Sequence, residues 1–181
     1  MRGLPHRALT QGAGRTQEGR RHTRRPLPLL QLPPRGLTST VFFWFLATAI
    51  LTIAWVFKDP RFDYRLLAVG AVLPDMIDWP TGWRIMHSVV TSIALLAVVM
   101  IVTLGRKPSR KLLLGLPIGT FLHLVFDGAF TNTEMFWWPI GGWEFSTDVL
   151  PVVARGWWNV PLEIAGGFAL WRWWVQRRAA A

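Results

Sequence analysis

Residues 37–57 read LTSTVFFWFLATAILTIAWVF, a run of 21 residues without a charge. As a helix rising 1.5 Å per residue, such a run would cross a hydrocarbon core of about 30 Å. Three further runs share its character: 85–104 (IMHSVVTSIALLAVVMIVTL), 112–129 (LLLGLPIGTFLHLVFDGA) and 157–175 (WWNVPLEIAGGFALWRWWV). Residues 66–73 (LLAVGAVL) are too short to cross, and Pro74 and Asp75 follow them at once. They are expected to form a re-entrant or interfacial segment covered by protein. The fold class expected is therefore all-α: a polytopic membrane bundle of about four transmembrane helices over residues 37–178.

Composition agrees with an apolar environment. The chain has 181 residues, 51% of them hydrophobic, with 12 Trp against 1 Tyr and a net charge of +10. A mean hydropathy of +0.30 is high for a water-facing domain of this charge. With no Cys, disulfides, thiolate metal sites, iron–sulfur clusters and a Cys nucleophile are excluded. Residues 1–36 hold eight Arg and one Glu with no apolar periodicity, so they read as a disordered basic tail. Three readings stand for it: a tail on anionic lipid, a nucleic-acid contact, or sequence upstream of the true first residue. No aromatic residue interleaves the arginines, which speaks against nucleic acid.

Orientation follows from the basic clusters. The tail, the group Arg106, Lys107, Arg110 and Lys111, and the pair Arg177 and Arg178 would all face the cytoplasm across four crossings. That gives a multi-pass protein of the inner (plasma) membrane with both termini cytoplasmic. Trp79, Trp83, Trp137, Trp138, Trp143, Trp157 and Trp158 would then mark the outer interface.

The polar residues of the apolar part converge on that outer side. Beyond the tail the chain has two His, His87 and His123. Asp127 follows His123 by four residues, on one helix face, and Asp75 and Asp78 stand at i, i+3 after Pro74. An intramembrane carboxylate or imidazole is costly and marks a functional site by default. Two imidazoles and three carboxylates suit a divalent ion: zinc first, with manganese and iron as alternatives. Ser88, Thr91, Thr120 and Asn132 are candidates to support the ligands by hydrogen bonds. Each ligand candidate also has a structural reading: Asp75 as a helix cap, His87 as an interfacial histidine, His123 with Asp127 as an interhelical pair, Arg84 paired with Asp78. Their joint occurrence at one depth favours the site. Glu163 would face the same cavity or pair with Arg155. Glu134 and Glu144 read as solvated rim residues. No nucleophile elbow, kinase motif or HExxH motif is present.

GAVLPDMID (70–78), MHSVVT (86–91) and GTFLHLVFDGAFTNTEMFWWPIGGWEF (119–145) resemble the family of membrane-bound metal-dependent hydrolases, also described as LexA-binding, inner membrane-associated hydrolases. The resemblance spans about residues 66–145 and implies metal-site roles for Asp75, Asp78, His87, His123 and Asp127. The chain departs from the family pattern in reading P-D-x-x-D, with Ile77 where the second Asp is expected, and in Trp83-Arg84 and Met86 ahead of the His-Ser step. A more distant similarity to zinc-dependent phospholipase C proteins implies phosphoester hydrolysis. The expected function is a metal-dependent hydrolase on an amphiphilic substrate at the bilayer surface. The bound ion is expected to lower the pKa of a water and polarise a phosphoryl or carbonyl oxygen, with whichever of Asp75 and Asp78 is not a ligand acting as the catalytic base. A non-catalytic adaptor and a small proton- or ion-coupled transporter using the same acids are the alternatives. Oligomeric state is not legible.

Overall fold

The structure is a computed structural model and describes residues 41–59, 62–143 and 151–179. The tail expected over 1–36 lies outside the described residues. Helices α1 (Phe42–Phe57), α2 (Arg65–Thr81), α3 (Val89–Val102), α4 (Lys107–Leu113), α5 (Gly115–Asp127), α6 (Thr133–Phe136), α7 (Pro151–Ala154) and α8 (Asn159–Ala179) follow one another. Single 3-10 turns lie at Ile85–His87, Ala129–Thr131 and Gly156–Trp158. No strand occurs among the described residues, so the all-α expectation stands.

Glycines set the closest helix contact. A Cβ on Gly70 of α2 would lie 2.1 Å from the Leu116 carbonyl oxygen, and one on Gly119 of α5 would lie 2.3 Å from the Leu67 carbonyl oxygen. Only hydrogen at these positions lets α2 and α5 run side by side in the same direction. A parallel contact of the same kind joins α1 to α8, where a Cβ on Gly166 would meet the Trp44 amide at 2.5 Å. Glu163 fixes its register by accepting from the first amides of α1, at 2.7 Å from Phe42 and 3.0 Å from Phe43 and Trp44. These orphan N–H groups of a helix N-terminus are natural partners of a carboxylate. Further along, Ala49, Ile50 and Ile53 of α1 meet Leu67 and Ala71 of α2, with Leu170 and Trp173 of α8 packed against them. Helix α3 returns antiparallel to α5, with Val89 against Leu124 and Ala129.

The bundle thus has two unlike ends. At one, Lys111 pairs with Asp59 at 3.1 Å, and Arg177 lies over the rings of Tyr64 and Trp173 at 5.0 and 4.7 Å. At the other, the start of α1 meets the ends of α2 and α5. Residues 41 and 179 lie at opposite ends.

Two expectations are corrected. Among the described residues, only Lys107–Asp127, which is α4 and α5 joined through Leu114, is long and apolar enough to cross a membrane. The bundle of about four transmembrane helices is therefore overturned. An uncharged run is not the same thing as a helix. Helix α1 has 16 residues and ends at Lys58 in the left-handed region, about 24 Å of rise. The run 85–104 spends its first residues on a 3-10 turn, and Ser88 then caps the 14-residue α3 by accepting from the Val90 amide at 3.1 Å. Helix α8 has 21 residues but includes Glu163, Arg172, Arg177 and Arg178. The second correction concerns 66–73. It is no separate re-entrant segment: it is the first half of the 17-residue α2, which continues through Pro74 and Pro80 to the left-handed Gly82. Each internal proline costs a backbone hydrogen bond. The interlocked contact with α5 holds the helix together across them.

Candidate metal centre

Three elements deliver the polar side chains. Asp75 and Asp78 come from the last turns of α2, and His87 closes the 3-10 turn ahead of α3. His123 and Asp127 come from the last turns of α5. All are buried, and the side chains of His87, Asp78, His123 and Asp127 are essentially closed to solvent.

The outer nitrogen of each imidazole is committed. His123 Nδ1 lies 2.7 Å from the Ala71 carbonyl oxygen, which can only accept, so Nδ1 carries the hydrogen. His87 Nδ1 lies 2.8 Å from Asp78 Oδ2, and the same oxygen accepts from the His87 amide at 3.1 Å. Each ring, when neutral, therefore turns an Nε2 lone pair inward. Asp75 Oδ1 lies 3.3 Å from His87 Nε2 and 3.5 Å from His123 Nε2, and Asp127 Oδ2 lies 3.7 Å from His87 Nε2. The rings stand nearly perpendicular, with centroids 5.3 Å apart, and Phe45 backs His123 at 4.0 Å.

Asp75 Oδ1, His87 Nε2, His123 Nε2 and Asp127 Oδ2 are all buried without a hydrogen-bond partner. Leaving one such atom unpaired costs about 1–3 kcal/mol. Those of Asp75, His87 and His123 lie together as a donor set for a cation, with Asp127 Oδ2 beside His87. One ligand atom each from Asp75, His87 and His123 falls within 4.8 Å of the others, so this group could hold a metal ion. Burial works against a charged imidazole at His87, yet the carboxylates of Asp75, Asp78 and Asp127 around it push its pKa up to about 9. Burial likewise opposes ionisation of Asp75, but the imidazoles of His123 and His87 close beside it outweigh that and hold the carboxyl well below the usual carboxylate range. A proton on His87 and a metal ion are thus alternative answers to the same cluster of carboxylates.

All the residues singled out from sequence as ligands meet here, in unequal positions. Asp78 stands behind His87 and orients it, the carboxylate–histidine–metal arrangement of many sites. Asp127 is split: Oδ2 faces the donor set, and Oδ1 pairs with Arg155. The supporting hydroxyls lie elsewhere. Ser88 donates to the Phe136 carbonyl at 3.3 Å and to that of Trp138, and Thr91 to Ile85 at 2.7 Å. Thr120 donates to Leu116 at 3.1 Å, and Asn132 caps α6. Glu163 serves the α1 amides, and Arg155 goes to Asp127. Glu144 lies outside the described residues.

Two clefts are lined in part by carboxylates of the cluster. One, of about 360 Å³, is lined by Asp75 with the apolar Val41, Phe42, Val72, Met76 and Trp79. The other, of about 520 Å³, is lined by Asp127, Thr131, Asn132, Ala154 and Arg155. Asp78→Asn is expected to weaken metal binding about 10- to 100-fold while leaving the stoichiometry at saturation unchanged. Competition with a chromogenic chelator measures it, and an unchanged affinity would remove Asp78 from the site. No protein family, characterised protein or solved structure matches the chain.

Proposed function

We propose that the chain is a metal-dependent hydrolase working at a membrane, with a divalent ion, zinc first, held by Asp75, His87 and His123. Its substrate is a phosphoester or a lipid-like molecule. The observation that carries this reading is the convergence of unpartnered buried donors, each imidazole fixed by its outer nitrogen. Two His and one carboxylate with room for a further ligand suit a catalytic site better than a closed structural one. A bound ion there would supply Lewis-acid polarisation and a water acidic enough to attack near neutral pH.

The chain's own residues supply the rest. Asp78 holds His87 in the tautomer that offers Nε2. Asp75 completes the donor set, which leaves Asp127 as the acid–base group: its Oδ2 borders the donor set, while Oδ1 is steadied by Arg155. From there it can hold the proton taken from an attacking water. A membrane setting is supported by the exposed Ile93, Val98, Ile101, Val102 and Leu104 on and after α3, a run of apolar surface that water would penalise. Exposed Trp79, Trp83, Trp137, Trp143, Trp157 and Trp158 lie in or near the elements at the metal-centre end, as an interfacial belt would have them. The resemblance of residues 66–145 to membrane-bound hydrolases supports the same setting.

Elemental analysis of the purified protein, with phosphoester hydrolysis assayed after zinc, manganese or iron reconstitution, tests the reading. Asp127→Asn is expected to keep its ion and lose about 10²- to 10⁴-fold in rate. A chain that takes up none of the three ions rules the proposal out.

A further inference from the structure

We propose that Arg155 anchors a phosphate group of the substrate, holding it in the cleft beside Asp127 so that it faces the ion at Asp75, His87 and His123. This inference rests on the metal-centre reading. Arg155 lies in the turn between α7 and α8, with its Cζ 5.9 Å from the Phe45 ring, the same ring that backs His123. The guanidinium is thereby fixed against the site.

Its hydrogen bonding is half complete. Nε and Nη2 form one edge of the guanidinium fork, the edge that grips two oxygens of a carboxylate or phosphate. Here Nη2 holds Asp127 Oδ1, while Nε–H is buried and has no acceptor. Asp127 cannot fill both positions, because its second oxygen is turned to the donor set. A buried charged donor left unpaired is costly. The cleft in front of it, about 520 Å³, has room for a head group. The acceptor that fits is an oxyanion entering from this cleft, one oxygen on Nε–H and another toward the ion. Phosphate, with oxygens spread tetrahedrally, can bridge the two.

The test uses the full chain in detergent micelles, reconstituted with zinc and titrated with inorganic phosphate and with dioleoyl phosphatidic acid in mixed micelles. Arg155→Gln is expected to weaken both about 10- to 100-fold, with zinc content unchanged. Arg155→Lys, which keeps the charge and the pair with Asp127, should lose less. Phosphatidic acid binding tenfold or more tighter than inorganic phosphate identifies a lipid head group as the source; equal affinities identify a soluble phosphate. An Arg155→Gln protein that keeps its zinc and binds both probes like wild type overturns the proposal. So does one that loses zinc, since Arg155 would then only brace Asp127 and the metal centre itself would stand. Wild-type protein that holds no zinc refutes the metal centre and the anchor together, whereas zinc-loaded protein that binds neither probe refutes the anchor alone.

Discussion

Exchanging both His87 and His123 for alanine is expected to leave the purified chain without a stoichiometric divalent ion. The two Nε2 atoms are the nitrogen donors of the set, and Asp75 alone supplies one oxygen beside them. A lone buried carboxylate binds zinc far more weakly than a two-nitrogen, one-oxygen site. The variant also leaves Asp75, Asp78 and Asp127 buried with the imidazoles gone. Arg155 then remains as the cation paired into the cluster. Some loss of stability is expected with the loss of metal, so a second variant separates the two. His123→Asn can still donate to the Ala71 carbonyl, which His123 reaches at 2.7 Å, but has no nitrogen at the Nε2 position. It should fold and still bind zinc at least tenfold more weakly. Elemental analysis and chelator competition read the outcome. Full occupancy in the double variant would show that the ion sits elsewhere.

The residues of this site were legible in sequence because so few could form it. Beyond the tail there are two His, both inside apolar runs; His123 stands one helical turn before Asp127, and His87 follows Asp78 by nine residues. Their division of labour was not legible. The spacing of Asp75 and Asp78 puts both on one face of α2 but does not say which carboxylate reaches the lone pairs and which reaches Nδ1. That is decided by the backbone of the turn Ile85–His87, entered through Arg84 in the left-handed region at φ 58°. Nor was the partner of Arg155 legible. Glu163 is near in sequence, but it is drawn to the amides of α1 about 120 positions away, which leaves Arg155 to Asp127. The length of α2 was hidden for a related reason. Proline reads as a helix boundary on local grounds, and the contact with α5 that carries α2 through Pro74 is tertiary. The spans failed where absence of charge was taken for continuity of helix, as at Ser88, whose cap begins α3 several residues into its run.

Gly119→Ala is expected to destabilise the chain and loosen the metal centre together. Local propensity argues the other way: alanine in a helix interior is favoured over glycine by about 1 kcal/mol. At this position the new Cβ would lie 2.3 Å from the Leu67 carbonyl oxygen and 2.8 Å from the Ala71 amide nitrogen. Both neighbours are backbone and cannot rotate away, so α2 and α5 must part by about 1 Å to restore an ordinary contact. Overpacking of this kind costs about 1–3 kcal/mol, enough to reverse the propensity gain. The displacement falls on the pair of helices that carries the ligands. His123 is one helical turn beyond Gly119, and its bond to the Ala71 carbonyl and its approach to Asp75 Oδ1 at 3.5 Å span the same contact. Zinc affinity should therefore fall with stability, although no ligand has been touched. Gly167→Ala is the matched control, because its Cβ would meet nothing within 4 Å. It should leave zinc binding unchanged and raise stability by about 0.5–1 kcal/mol. Thermal unfolding in detergent, followed by circular dichroism with and without zinc, compares the two. Equal responses at Gly119 and Gly167 would mean that the close approach of α2 and α5 does not set the geometry of the metal centre.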